Sequence, residues 1–111
     1  MFSSEPAVVL GLADVRAALA DGRRRVLVSA EGAGVWAGCL WWRALIGLAE
    51  AEFPGLVEAD VLDCADSPGQ AMAALRSGCR WIVLDPACPA ALAVRGAAIG
   101  LGAVVLDARP S

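Results

Sequence analysis

Val26-Leu27-Val28-Ser29-Ala30-Glu31-Gly32-Ala33-Gly34, running directly into the apolar segment Val35 to Phe53, is the stretch that decides the fold. A short β-branched run, a glycine turn and a long helical segment follow one another without a break, the order of a strand feeding a crossover helix. Trp36, Leu40, Trp41, Trp42, Leu45, Ile46 and Leu48 point around the whole circumference of a helix over 35–53, and only Arg43, Glu50 and Glu52 are charged. Such a helix needs cover on more than one face.

Outward from this stretch, the same alternation repeats. Leu12, Val15, Ala18 and Leu19 fall at helical spacing, with Gly22 placed to end that helix. Phe53-Pro54-Gly55 stops the central helix, and Val57 to Asp63 follows with polar and apolar residues alternating, a strand with one wet face and so an expected sheet edge. Ser67-Pro68-Gly69-Gln70 forms a helix start with an N-cap serine, proline at the first helical position and a capping-box glutamine. The helix runs to Ser77, and Trp81 to Leu84 is then apolar throughout, as in a strand covered on both faces. An alanine-rich helix spans 90–101, where Gly96 and Gly100 suggest close approach to a neighbour, and the strand Val104 to Leu106 ends the pattern.

Four strands alternate with helices, and residues 7–10 are a candidate fifth strand. The expected fold is therefore a single α/β domain over 1–111, a small doubly wound parallel sheet with helices on both faces, of the flavodoxin-like or Rossmann-like class. Right-handed crossovers and the edge character of 57–63 are met by the order 2-1-3-4, counting from the strand at 26–29, with simpler orders left open.

Composition narrows the chemistry. The 111 residues are 59% apolar before glycine is counted, and four tryptophans exceed what a small domain hides comfortably, so a homodimer or a protein partner is expected. Trp36, Trp41 and Trp42 cannot all face one sheet, because positions 41 and 42 differ by about 100° around a helix axis. They are the expected interface residues. A net charge of −3 argues against nucleic acid. The longest apolar segment, interrupted by Arg43, is too short for a membrane span. The start of the chain does not resemble a secretory signal, so a cytoplasmic setting with reduced thiols is expected.

The chain contains no His, Lys, Tyr, Thr or Asn. That removes an imidazole base, a Schiff-base or phosphate-loop lysine and a Ser-His-Asp arrangement. A non-catalytic module acting by association is the leading expectation.

The alternative is a small-molecule, nucleotide or phosphate-type binder, or a cysteine enzyme, using the crevice outside the carboxyl ends of the strands. Ser29, Glu31, Gly32, Gly34, Asp63, Cys64, Asp85 and Cys88 would line it, with Asp66 and Asp107 also at strand ends. Cys88, ahead of a helix, is the candidate nucleophile. Gly32-Ala33-Gly34-Val35-Trp36-Ala37 fits the G-x-G-x-x-G/A turn of dinucleotide sites. Glu31 beside a pyrophosphate, the bulk of Trp36 and the missing second half of such a fold oppose that reading, and no cofactor is expected. Carboxylates at strand ends suit Mg²⁺, yet no lysine accompanies them, and the four cysteines lack C-x-x-C spacing for zinc, so no metal is expected either.

Overall fold

A computed structural model describes residues 1–111. Five strands, β1 (Pro6–Val9), β2 (Arg25–Ser29), β3 (Val57–Asp63), β4 (Trp81–Val83) and β5 (Val104–Leu106), form one all-parallel sheet. Between them lie α1 (Leu12–Leu19), α2 (Ala33–Trp36), α3 (Cys39–Glu52), α4 (Pro68–Arg76) and α5 (Ala91–Gly100). The α/β class, the parallel sheet and the fifth strand thus appear as the sequence pattern implies. No helix is long and apolar enough to cross a membrane.

The strand order is β1-β2-β3-β4-β5, not the reversal implied by 2-1-3-4. Every crossover steps one strand in the same direction, so right-handed connections place every helix on the same face. The core agrees. Val15, Leu19, Trp42, Leu45, Ile46, Ala49, Ala71, Leu75, Val94 and Ala98 pack with Val9, Leu27, Leu62, Ile82 and Val105 in one cluster. Val26, Val28, Ala59, Val61 and Val83 form a second cluster on the other face, without a helical residue. The expectation of helices on both faces is corrected accordingly: the second face is covered by irregular chain.

The stretch 57–63, expected at an edge, is the central strand. Its acidic residues are tolerated there because each has partners. The Trp42 Nε1–H donates to Asp60 Oδ1 at 3.2 Å. Asp63 Oδ1 accepts from the Ala65 amide at 2.8 Å. A register shift between β2 and β3 pairs Arg25 with Val57 and Val26 with Ala59, leaving Glu58 as the extra residue of a bulge. Bulges re-aim side chains. Here Val57 packs with the helix-side cluster and Ala59 with the other, while Glu58 receives the Ser3 amide at 2.9 Å and the Ser4 amide at 2.7 Å. These hydrogen bonds, from Ser4 and Ser3, hold its carboxyl down at about 2.

The apolar segment expected as one helix over 35–53 is broken. Gly38 has φ +88°, a conformation other residues rarely adopt, and it separates the single turn of α2 from α3. After the break the phase is regular: Trp42, Leu45, Ile46 and Ala49 are the buried face of α3. Ser67 caps α4 as its sequence implies, accepting from the Gln70 amide at 3.3 Å. On α5 the expectation fails: a Cβ at Gly96 or Gly100 would meet nothing within 4 Å, so neither glycine serves a close contact within the chain.

Burial holds the Asp60 carboxyl above the ordinary carboxylate range, against the opposing effects of the Trp42 hydrogen bond and the Arg43 charge. The folded chain therefore binds this proton more tightly than the unfolded chain does. The resulting destabilisation is absent below the ordinary carboxylate pKa and complete above the raised folded value. Asp60→Asn keeps an acceptor for Trp42 and removes the buried charge. Thermal unfolding followed against pH should show the variant more stable than the parent at pH 7, with the gap closing as pH falls into the carboxylate range; an unchanged or lower midpoint at pH 7 contradicts this.

Candidate functional site

The carboxyl ends of β2, β3, β4 and β5 open into a cavity of about 500 Å³, lined by Glu31, Asp63, Ala65, Asp66, Val83, Asp85, Pro86, Asp107 and Arg109. Its volume lies in the range of small-molecule sites, about 300–1,000 Å³. The lining holds five carboxylates and one guanidinium, and a second guanidinium, that of Arg95, pairs with Asp107 from outside it.

Local hydrogen bonds fix its floor. The Ser29 hydroxyl donates to the Ala30 carbonyl at 2.9 Å and accepts from the Asp63 amide at 3.0 Å. Ala65, at φ +52°, is the one non-glycine residue in the left-handed region. That strained conformation is held from two sides, by its amide donating to Asp63 and by its carbonyl accepting from the Asp85 amide at 2.8 Å. Asp85 Oδ1 in turn accepts from the Ala87 amide at 2.9 Å. Arg109 reaches back from the segment after β5. Its Nη2 donates to the Ser29 carbonyl at 2.8 Å, and its Nε lies 3.6 Å from Asp63 Oδ2. Asp107 is paired with Arg95 of α5.

Of the residues expected to line the crevice, Glu31, Asp63 and Asp85 do so, and Asp66 and Asp107 join them. Ser29 is buried beneath the cavity. Gly32 lies under the Trp36 indole, which would be 3.8 Å from a Cβ there. Gly34 packs inward: a Cβ would sit 2.9 Å from both the Asp63 carbonyl oxygen and the Cys64 sulfur. The glycine turn therefore serves a close approach between α2 and the end of β3, and the helix it opens is only one turn long. Cys64 is fully buried, and burial pushes its thiol up to about 12, with the charges of Cys79, Asp63 and Cys39 adding to the rise. Cys88 is half-buried against the helix-side core and does not line the cavity. No group of three or more Cys, Asp or Glu side chains converges as a metal site requires. Arg109 is the charged one among the lining residues that sequence reasoning missed, the others being Ala65, Val83 and Pro86. It comes from an irregular segment 80 residues from its Ser29 partner, and no local pattern marks it.

The tryptophans separate. Trp42 is fully buried and so unavailable to a partner, which corrects its place among the interface residues. Trp41 is half-buried, its ring centroid 5.9 Å from that of Trp42. Trp36 is 65% exposed, and its Nε1–H donates to the Glu31 carbonyl at 3.1 Å. Val35, and Leu40 on the far side of the Gly38 break, are also exposed.

Comparison with protein-family models, with curated proteins and with solved structures finds no match for the chain.

Gly34→Ala is expected to destabilise the fold by about 1–3 kcal/mol, the usual cost of overpacking a close contact. Urea unfolding with an unchanged m-value and a lower midpoint would bear this out, whereas an unchanged midpoint would mean that α2 and β3 separate freely.

Proposed function

We propose that this chain is a non-catalytic α/β interaction module that acts by association, as a homodimer or with a partner subunit, through the corner between α2 and α3. The observation that carries the reading is the state of Trp36: a large indole, mostly in solvent, already held in place by a hydrogen bond to the Glu31 carbonyl. A tryptophan fixed before binding presents contact area at little entropic cost, and tryptophan is enriched at interface hot spots. Val35 and Leu40 extend the apolar surface within six residues of sequence. The four free thiols suit a reducing, cytoplasmic setting.

A second reading, a small ligand in the strand-end crevice, is supported by the cavity and its charge. Glu31, Asp66 and Asp85 are left without an arginine partner, while Asp63 and Asp107 are paired with Arg109 and Arg95. Such an acidic lining disfavours a nucleotide or phosphate and suits a positively charged organic group. A cysteine-dependent reaction has less support, since Cys64 is sealed in the core and Cys88 lies off the cavity.

Sedimentation equilibrium at micromolar concentrations tests the association. The parent chain should dimerise reversibly, and Trp36→Ala should weaken the dimer by about 2 kcal/mol or more, roughly thirty-fold in Kd. Circular dichroism should be unchanged, because an exposed ring is lost. A strictly monomeric parent overturns homodimerisation, and equal Kd values for parent and variant remove the corner from the interface.

A further inference from the structure

The helix-free face of the sheet carries a feature that the α2–α3 corner does not explain. Its central strip, Val26, Val28, Ala59, Val61 and Val83, is buried, although no helix lies over it. The cover is made by two segments outside the sheet, residues 1–5 before β1 and residues 107–111 after β5. Phe2 packs edge-on against Trp81 with ring centroids 4.7 Å apart. The segments lie on the same part of this face, where Met1, Phe2 and Ser4 line one cavity of about 250 Å³ with Pro110, Ser111 and Val26 of β2. Their cover reaches only the middle strands. Val8 on β1 and Val104 on β5, whose side chains alternate onto this same face, are 56% and 37% exposed.

Polar contacts at the two ends of β3 hold the segments down. At its start, the bulged Glu58 receives the amides of Ser3 and Ser4 and the Ser3 hydroxyl, the last at 3.0 Å. At its end, Asp63 and the Ser29 carbonyl hold the Arg109 guanidinium. Beyond these, each segment has polar ties to regular structure only where it adjoins the sheet. The Glu5 carbonyl accepts from the Val26 amide of β2 at 3.0 Å, and Asp107 is paired with Arg95 of α5, so the chain beyond these two hinges can lift without breaking a strand. Elements with few apolar contacts and exposed hydrogen bonds open at the lowest cost in a fold.

We propose that residues 1–5 and 107–111 together form a latched, removable strap that conceals an apolar face of the sheet, with Glu58 and Arg109 as its latches. Lifting the strap exposes the valine strip and Trp81 while the helix-side core, on the other side of the sheet, stays packed. Parallel sheets are disfavoured with one face bare, so the closed form is the resting one.

The test compares the parent chain with Glu58→Gln, Arg109→Gln and, as a control for loss of a surface carboxylate, Glu52→Gln, which breaks the remote Arg16–Glu52 pair. Amide exchange by nuclear magnetic resonance reads the strap directly, and fluorescence of an added anilinonaphthalene sulfonate dye reads the uncovered face. In Glu58→Gln the Ser3 and Ser4 amides should exchange at least roughly tenfold faster, as expected when hydrogen bonds to a charged acceptor are weakened. Dye fluorescence should rise in both latch variants, and the amides of Leu45 and Ile46 in α3 should keep the parent's protection. Arg109→Gln supplies an independent reading should Glu58→Gln fold poorly. Unchanged Ser3 and Ser4 exchange and dye binding overturn the proposal, as does an equal acceleration of the α3 amides, which would make the segments inseparable from the core.

Discussion

The handedness of the βαβ crossover governs this molecule. Four connections each carry the chain to the next strand on the same side, and a right-handed connection can then place its helix on one face only. The helices consequently share a single core with the inward side chains of the sheet, and the other face is left to whatever irregular chain can reach it. Doubly wound sheets avoid this by reversing direction midway, which also creates the crevice at the switch point. Here no reversal exists, and the strand-end cavity is shaped instead by the turns after β2, β3 and β4 and by the returning Arg109.

That constraint explains the polar character of the central strand. With helices on one side and the flanking segments on the other, β3 meets partners on both faces. Asp60 looks toward the helices and finds the Trp42 indole nitrogen; Glu58 and Asp63 look the other way and hold the segments that cover the valine strip. Three acidic residues in a buried strand are thus each matched, as buried polar groups must be. The cost of the arrangement shows at Asp60, where burial outweighs the hydrogen bond it accepts.

Local chemistry in the sequence specified much of this. The capping box at Ser67 and Gln70, the proline and glycine at 54 and 55, and the β-branched runs each act within a few residues, and the elements they imply are present. The strand order was not legible, because the acidic alternation of 57–63 reads as exposure unless its partners are known. Two of those partners lie far off in sequence: Ser3, 55 residues before Glu58, and Arg109, which reaches Asp63 from beyond β5. The break at Gly38 was signalled by the glycine itself, and beyond it Trp42, Leu45, Ile46 and Ala49, at i, i+3, i+4 and i+7, form one buried stripe. Treating 35–53 as continuous spread the indoles around the axis and grouped Trp42 with Trp36, although one is core and the other surface. At the strand ends, Glu31, Asp63 and Asp85 could be placed from topology alone. The inward packing of Gly34 and Cys64 could not, since it depends on how closely α2 approaches β3.

One-sided placement of the helices is the claim on which the covered valine face, the central position of β3 and the shape of the crevice all depend. Methyl-resolved nuclear Overhauser spectroscopy measures it directly. The account predicts contacts from Leu27, Leu62 and Ile82 methyls to α3 and α4 side chains, with Val28 and Val61 methyls contacting no helical residue and the Phe2 ring contacting Trp81. Contacts between any helix and the Val28 or Val61 methyls would contradict it, because they would put helices on both faces of the sheet.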